Sequence, residues 1–362
     1  MLVSGLFKRH RQLKPQEVVE RLTSYGVSHK HAERLAQYLG SAPERELYRL
    51  NVRYLAERLS LPVRSTFIIL AAALVAGVVK LDWEVRCPAC GGQSPAFASL
   101  SEARSRQSCD ACGSVFDAHL DEEVLVTFTV SELIRPLGPG ADDPLWRLQI
   151  DQRYGRISGH DLLTVQSFRD LFVKEPLPGG ESFEVRRMTL LFTDLGGSTA
   201  LYARKGDPRA YGLVREHFDL LLRAIDEAGG AVVKTIGDAI MAVFPLSDGA
   251  LRAGLEGQRA IAAFNRQRAL PKDEALLLKA GIHSGPCLAV TLNGRLDYFG
   301  TTVNAAARVE KLARPGEVIF TAQARSELID QSLLDDLPLV EEQIMLRGLR
   351  NQSFTIYRTW LN

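Results

Sequence analysis

The chain has 362 residues, 46% of them hydrophobic and 24% charged, with a formal net charge of +1. That length leaves room for roughly two to three domains, each with its own core, and the near-neutral balance excludes a global electrostatic argument for nucleic acid. The longest apolar run, Phe67 to Val79, has thirteen residues, short of the roughly 18–20 that span a bilayer. Met1 to Lys14 lacks the apolar stretch and cleavage site of a signal peptide, so a soluble, cytoplasmic protein is expected.

Lys8, Arg9, Arg11 and Lys14 form a small basic cluster, read as a solvated terminus. Apolar spacing of three and four predicts helices over Val18 to Tyr25 and Ala32 to Tyr38. Leu50 to Leu59, the break at Ser60-Leu61-Pro62 and Val63 to Ala76 then read as helix, turn, helix, and Val78 to Val85 alternates like a strand. This order is winged-helix-like. The second helix is almost wholly apolar beyond Ser65 and Thr66, with little to offer a base or phosphate, so a regulatory or protein-interaction role over residues 1–83 is the better reading.

Residues 84–150 read as a metal-binding segment. Cys87-Pro-Ala-Cys90 and Cys109-Asp-Ala-Cys112 are eighteen residues apart, with Gly91-Gly92 and Gly113 following the pairs. Two Cys-x2-Cys knuckles at this distance fit a zinc ribbon; two disulfides are the alternative. Four thiolates leave no open position, so one Zn2+ per chain would be structural, with His119 a bystander. Trp146 to Ile150 alternates and is read as a further strand. Residues 151–183 form a connector: His160 to Lys174 is amphipathic, and Pro176 to Gly180 breaks it. It would either transmit a change in dimer geometry or serve as a packed linker.

The chemistry lies beyond. Met188 to Asp194 is an apolar run that ends in a carboxylate and breaks at Leu195-Gly196-Gly197-Ser198-Thr199, the geometry of a phosphate or metal site. Asp207-Pro208 opens a long amphipathic helix that ends at Gly229-Gly230. Ala231 to Phe244 reads as two strands about a Gly237-Asp238 turn, which places a second carboxylate on a tip. Such an Asp is usually a turn former, but two on neighbouring strands suit divalent cations. Ser247 to Asn265 is helical, Leu276 to Val290 is a strand, and from Thr301 a helix stacks Asn304 and Arg308 on one face. With strands at Gly316 to Thr321 and Phe354 to Trp360, the pattern predicts an α+β fold with a mainly antiparallel sheet.

FTDLGGST, VVKTIGDAIMAVF, GIHSGP and DYFGTTVNAAARVE, in this order, resemble the class III nucleotidyl cyclase catalytic domain, over roughly Arg186 to Phe320. More loosely, Arg34 to Arg135, with DEEVLVTFTV near its end, resembles the region that precedes some bacterial cyclases of this class. The resemblance implies a ferredoxin-like catalytic domain over residues 184–362. It places two Mg2+ or Mn2+ ions on Asp194 and Asp238, adenine reading on Lys234 and Asp297, and ribose and transition-state contacts on Asn304 and Arg308. Backbone amides around Gly196, Gly197, Ser198 and Thr199 suit terminal phosphates. Departures from the family pattern, Gly196-Gly197 and Cys287, remove no ligand or donor.

The implied activity is conversion of ATP to 3′,5′-cyclic AMP and pyrophosphate at two equivalent sites across a homodimer interface. Adenine presents an acceptor at N1 and a donor at its amine, matching a Lys and an Asp, whereas guanine inverts both. A catalytically weak nucleotide-binding module that recruits a partner through its N-terminal region is the alternative. A nucleic-acid binder with a nucleotide switch is disfavoured for want of a basic face. What the N-terminal region senses is not legible in these residues.

Overall fold

The computed structural model describes residues 12–171, 177–178, 180–346 and 353–361. Lys8, Arg9 and Arg11 of the basic cluster, Phe172 to Lys174 of the expected connector helix, and parts of the Pro176 to Gly180 break lie outside them.

The N-terminal unit opens with α1 (Pro15–Ser24), α2 (His29–Ser41), α3 (Val52–Leu59) and α4 (Val63–Val75). Asn51 caps α3, its Oδ1 accepting from the Arg53 and Tyr54 amides, and Pro62 starts α4 after the left-handed Ser60. Among the described residues no single helix is long and apolar enough to cross a membrane; α3 and α4 together reach the length but bend by 104°. Phe67, Ile69 and Leu70 are buried in the core. β1 (Val79–Val85) leads to the short hairpin of β2 (Arg106–Ser108) and β3 (Val115–Asp117), and then β4 (Val124–Val130) pairs antiparallel with β1. The cysteine segment is thus inserted between two strands that close on each other.

Two expectations fail in the segment that follows. Trp146 to Ile150 is not a strand but lies in α5 (Pro144–Tyr154). Asp143 accepts the Trp146 amide at 3.0 Å and Pro144 fills the first position, so cap chemistry overrides a short alternation. The connector is not one helix either: α6 (Gly159–Leu163) and α7 (Gln166–Leu171) are separated at Thr164, whose hydroxyl donates back to the His160 and Asp161 carbonyls.

The remaining elements are β5 (Ser182–Leu195), α8 (Ser198–Lys205), α9 (Asp207–Glu227), β6 (Ala231–Ile236), β7 (Ala239–Phe244), α10 (Ser247–Gln267), β8 (Leu278–Leu292), β9 (Arg295–Phe299), α11 (Thr301–Lys311), β10 (Glu317–Thr321), α12 (Ala322–Ser326), β11 (Val340–Met345) and β12 (Ser353–Trp360). The sheet order β11-β12-β10-β8-β5-β7-β6, with β9 on β8, contains the ferredoxin-like arrangement β8-β5-β7-β6. Among the described residues, only β10 and β8 pair in parallel. The fold is therefore α+β with a mainly antiparallel sheet, preceded by helices.

Alternation along the strands gives the sheet two faces. Leu191, Leu195, Ile240, Ala242 and Leu278 pack with Leu221, Ile225, Leu251 and Ile261 of α9 and α10. Met188, Leu190, Phe192, Met241 and Val243 belong instead to one core with Leu55, Phe67, Trp83 and Phe128 of the N-terminal unit. α11 lies on this second face as well, and Gly281 permits it, since a Cβ there would sit 2.2 Å from the Glu310 nitrogen.

Candidate active site

Asp194 stands on β5 opposite Lys279 of β8 in the antiparallel register. Cross-strand partners share a face, so the Lys279 ammonium reaches Asp194 Oδ2 at 2.5 Å and Glu310 Oε1 of α11 at 2.9 Å. Burial raises the Glu310 carboxyl above its ordinary range. Burial alone would lower Lys279, but Asp194 and Glu310 hold it above its usual value, so the ammonium stays charged. Lys279 is a site residue that the motif reading missed; strand register, a non-local property, reveals it.

Asp238 sits in the two-residue turn between β6 and β7, which Gly237 makes possible with φ at 65°. Its Oδ2 is buried and has no hydrogen-bond partner among the described residues. His217 of α9 is fully buried, donates from Nδ1 to the Val214 carbonyl at 2.7 Å, and feels both Asp238 and Asp194; burial nevertheless lowers its pKa. The carboxylates thus border one region of the molecule. They are hard oxygen donors, and an orphaned buried carboxylate oxygen fits a divalent cation.

Lys234 on β6 and Asp297 on β9 meet at 2.6 Å between Nζ and Oδ2. Asp297 is buried and Lys234 part-exposed, with the Phe299 ring 5.6 Å from the ammonium. Asn304 is exposed on α11. Arg308, one turn further on, has a buried Nη1 without a partner among the described residues. It does not pair with Asp238 in the same chain.

In the glycine turn the Gly196 amide donates to the Leu277 carbonyl at 2.8 Å. Gly197, with φ at 81°, caps α8, whose first residues are Ser198 and Thr199.

The four cysteines converge. Their sulfurs lie within 4.8 Å of one another, Cys87 and Cys112 at 3.8 Å and Cys90 and Cys109 at 3.6 Å, and no disulfide joins them. Tetrahedral Zn–S bonds of about 2.3 Å require sulfurs about 3.8 Å apart, so the cluster fits a closed zinc site. His119 turns away, its Nδ1 2.8 Å from Glu123 Oε2.

A βαββαβ core with one carboxylate near the end of β5 and one in the β6–β7 turn, a Lys–Asp pair between β6 and β9 and an Asn and an Arg on α11 is similar to the arrangement of a nucleotidyl cyclase domain. Residues 181–356 match the family described as "Adenylate and Guanylate cyclase catalytic domain", and residues 16–170 match a family of unknown function, DUF5939. An adenylate cyclase of Anabaena cylindrica is 31% identical over 205 residues, 51% of this chain and 40% of that protein. One of Mycosarcoma maydis is 29% identical over 181 residues, covering 43% and 7%. A solved adenylate cyclase structure from Trypanosoma brucei is 26% identical, with a TM-score of 0.41, over 48% of this chain and 89% of the other. This chain spans less than half the length of those two curated relatives. It carries, at residues 181–356, a class III adenylate/guanylate cyclase catalytic domain behind an N-terminal region of the second family.

Proposed function

We propose that the protein is a cytoplasmic, homodimeric adenylate cyclase that converts ATP to 3′,5′-cyclic AMP and pyrophosphate. One observation carries the reading: Asp238 Oδ2 and Arg308 Nη1 are both buried, opposite in charge and without a partner among the described residues. One calls for a cation and the other for an anion, yet they do not satisfy each other within a chain. That is the condition of two half-sites completed by a second copy. Ile236 at the end of β6, and Leu288, Leu292 and Phe299 on β8 and β9, are exposed apolar residues, surface that such a copy would cover.

Asp194 and Asp238 would hold the Mg2+ or Mn2+ ions. Bound there, these cations supply charge neutralisation for the triphosphate and a lowered pKa for the ribose 3′-hydroxyl. Lys234 donates to adenine N1 and Asp297 accepts from the amine, so their mutual bond opens to admit the base. A guanine would leave both facing like partners, at about 1–3 kcal/mol for each unmade buried bond. Asn304 orients the ribose for in-line attack of its 3′-oxygen on the α-phosphorus. Arg308 meets the charge that builds on the α-phosphoryl oxygens, commonly worth on the order of 3 kcal/mol. Amides of Gly197, Ser198 and Thr199 face the terminal phosphates. The functional division of the chain at residues 83, 150 and 183, with one structural Zn2+ on the cysteines, belongs to the same reading.

The alternative, a nucleotide-binding module with little turnover, draws on Lys279, which ties up Asp194 Oδ2. The test is cyclic AMP formation by purified protein with magnesium or manganese across protein concentration, beside Asp194→Ala and Arg308→Ala. Product rising faster than linearly with enzyme and lost in both variants supports the cyclase; bound ATP without product under either metal supports the alternative. The Lys234→Glu, Asp297→Cys double variant should lose its preference for ATP over GTP, and an unchanged preference sinks the base assignment.

A further inference from the structure

A cavity of about 800 Å³ lies in the seam between the N-terminal unit and the catalytic sheet, and none of the candidate active-site residues lines it. Its walls include Arg53 of α3, Phe67 of α4, Asp121 before β4, His160 of α6 and Arg187 of β5. The volume falls in the range of small-molecule sites.

Two groups in this wall have buried polar atoms without a hydrogen-bond partner among the described residues. His160 is 4% exposed, and neither ring nitrogen has a hydrogen-bond partner among the described residues. Burial holds its pKa below the ordinary value, so the neutral ring has one N–H to give and one lone pair to offer. Asp121 accepts the Arg187 amide at Oδ2, at 3.0 Å, while its buried Oδ1 has no partner. Arg64 and Arg186, also in the wall, are compensated by Asp226 and Glu122. The guanidinium groups of Arg53 and Arg187 make no salt bridge among the described residues; Arg53 Nε reaches only the Arg156 carbonyl, at 3.4 Å. Phe67, Ile157 and Val165 add apolar wall.

We propose that the seam is a regulatory site for a small organic anion. Its phosphate or carboxylate bridges Arg53 and Arg187, its body packs on Phe67, Ile157 and Val165, and a donor–acceptor edge meets Asp121 and His160. Arg187 lies on β5, as Asp194 does, so a ligand held between Arg53 and Arg187 ties the N-terminal unit to the strand that carries a candidate metal ligand. The site stands whether or not the chain proves to be a cyclase, because binding is read without turnover.

The experiment is calorimetric titration of the full chain with AMP, cyclic AMP and N-acetyltryptophan, in wild type, Arg53→Gln, Arg187→Gln and Asp297→Ala. At least one probe binds, at least tenfold more weakly in each arginine variant, with little change in Asp297→Ala, which reports nucleotide held at the candidate active site. Preference for the two phosphates or for the carboxylate decides the anion. The side-chain 15N resonances of His160 shift on binding. Absence of binding by all three probes overturns the proposal, as does binding lost in Asp297→Ala but indifferent to Arg53→Gln, or a His160 ring that never responds. Melting temperatures identify any variant that fails to fold, and Arg53, partly exposed, is the substitution expected to be silent there.

Discussion

The four cysteines and the Asp194–Asp238 pair both suit cations, and they are built in opposite ways. The cysteine sulfurs are soft and mutually in reach. Each knuckle turns through a left-handed glycine, Gly91 or Gly113, whose amide donates back to the Cys87 or Cys109 carbonyl. The set is closed. The carboxylates are hard, stand on different strand tips, and differ from each other: Asp194 is paired with Lys279 while Asp238 Oδ2 has no partner among the described residues. A closed site converts metal affinity into fold stability. An open one leaves buried polarity uncompensated, which is unfavourable for the resting fold and leaves capacity for a substrate.

The largest effect expected from this contrast is at Asp238. Asp238→Ala should lower cyclic AMP formation on the order of 10³-fold and leave the melting temperature unchanged or slightly higher, because a buried unpaired oxygen is removed. A matching fall in stability would mean that Asp238 is a structural turn residue. Cys109→Ser should do the reverse: destabilise the ribbon by at least about 2 kcal/mol, release one zinc per chain measured by metal analysis, and deprotect the amides between β1 and β4 in hydrogen exchange. Activity should survive in part, and its complete loss would erase the distinction between the two sites.

Acid should strain the catalytic sheet separately from the ribbon. His283 on β8 is buried, its Nδ1 2.9 Å from Thr321 Oγ1, and burial pushes its pKa down to about 4. Between pH 6.5 and 4 the unfolded chain binds the proton that the folded chain refuses, so stability falls as pH falls through this window. The loss approaches about 3 kcal/mol at the acid end. His283→Gln should flatten that part of the stability profile in denaturant titrations; an unchanged slope would assign the acid sensitivity elsewhere.

Much of the catalytic domain was legible because its signals are local. The Asp207-Pro208 helix start, the Gly229-Gly230 stop and the apolar run into Asp194 each act within a few residues, and α9 and β5 follow them. The cysteine spacing was equally readable, since two knuckles need only a short hairpin to meet. Trp146 to Ile150 was misread because five alternating residues fit a strand as well as a helix, and the deciding cap at Asp143 lay upstream. The break at Thr164 depends on a hydroxyl returning to carbonyls, which apolar periodicity does not register. The Lys279 pairing and the Gly196–Leu277 hydrogen bond both depend on which strand lies beside β5. The seam cavity was likewise unreadable, because its walls come from segments up to about 190 residues apart in the chain.

The smallest predicted effect tests whether Lys279 stands in for a cation. Its ammonium occupies Asp194 Oδ2, so a metal ion must displace or share that oxygen, and Lys279→Met should lower the manganese concentration for half-maximal activity by about three- to tenfold. The same change leaves Glu310 without its partner and should cost about 1–3 kcal/mol of stability. Lys279→Met with Glu310→Gln separates the two consequences, because the second substitution removes the stranded charge without returning an ammonium to Asp194. Recovered stability with the manganese shift retained means that Lys279 competes with metal at Asp194. Recovered stability with the shift abolished means that Lys279 is a strut for α11, and the open character of the carboxylate site would then rest on Asp238 alone.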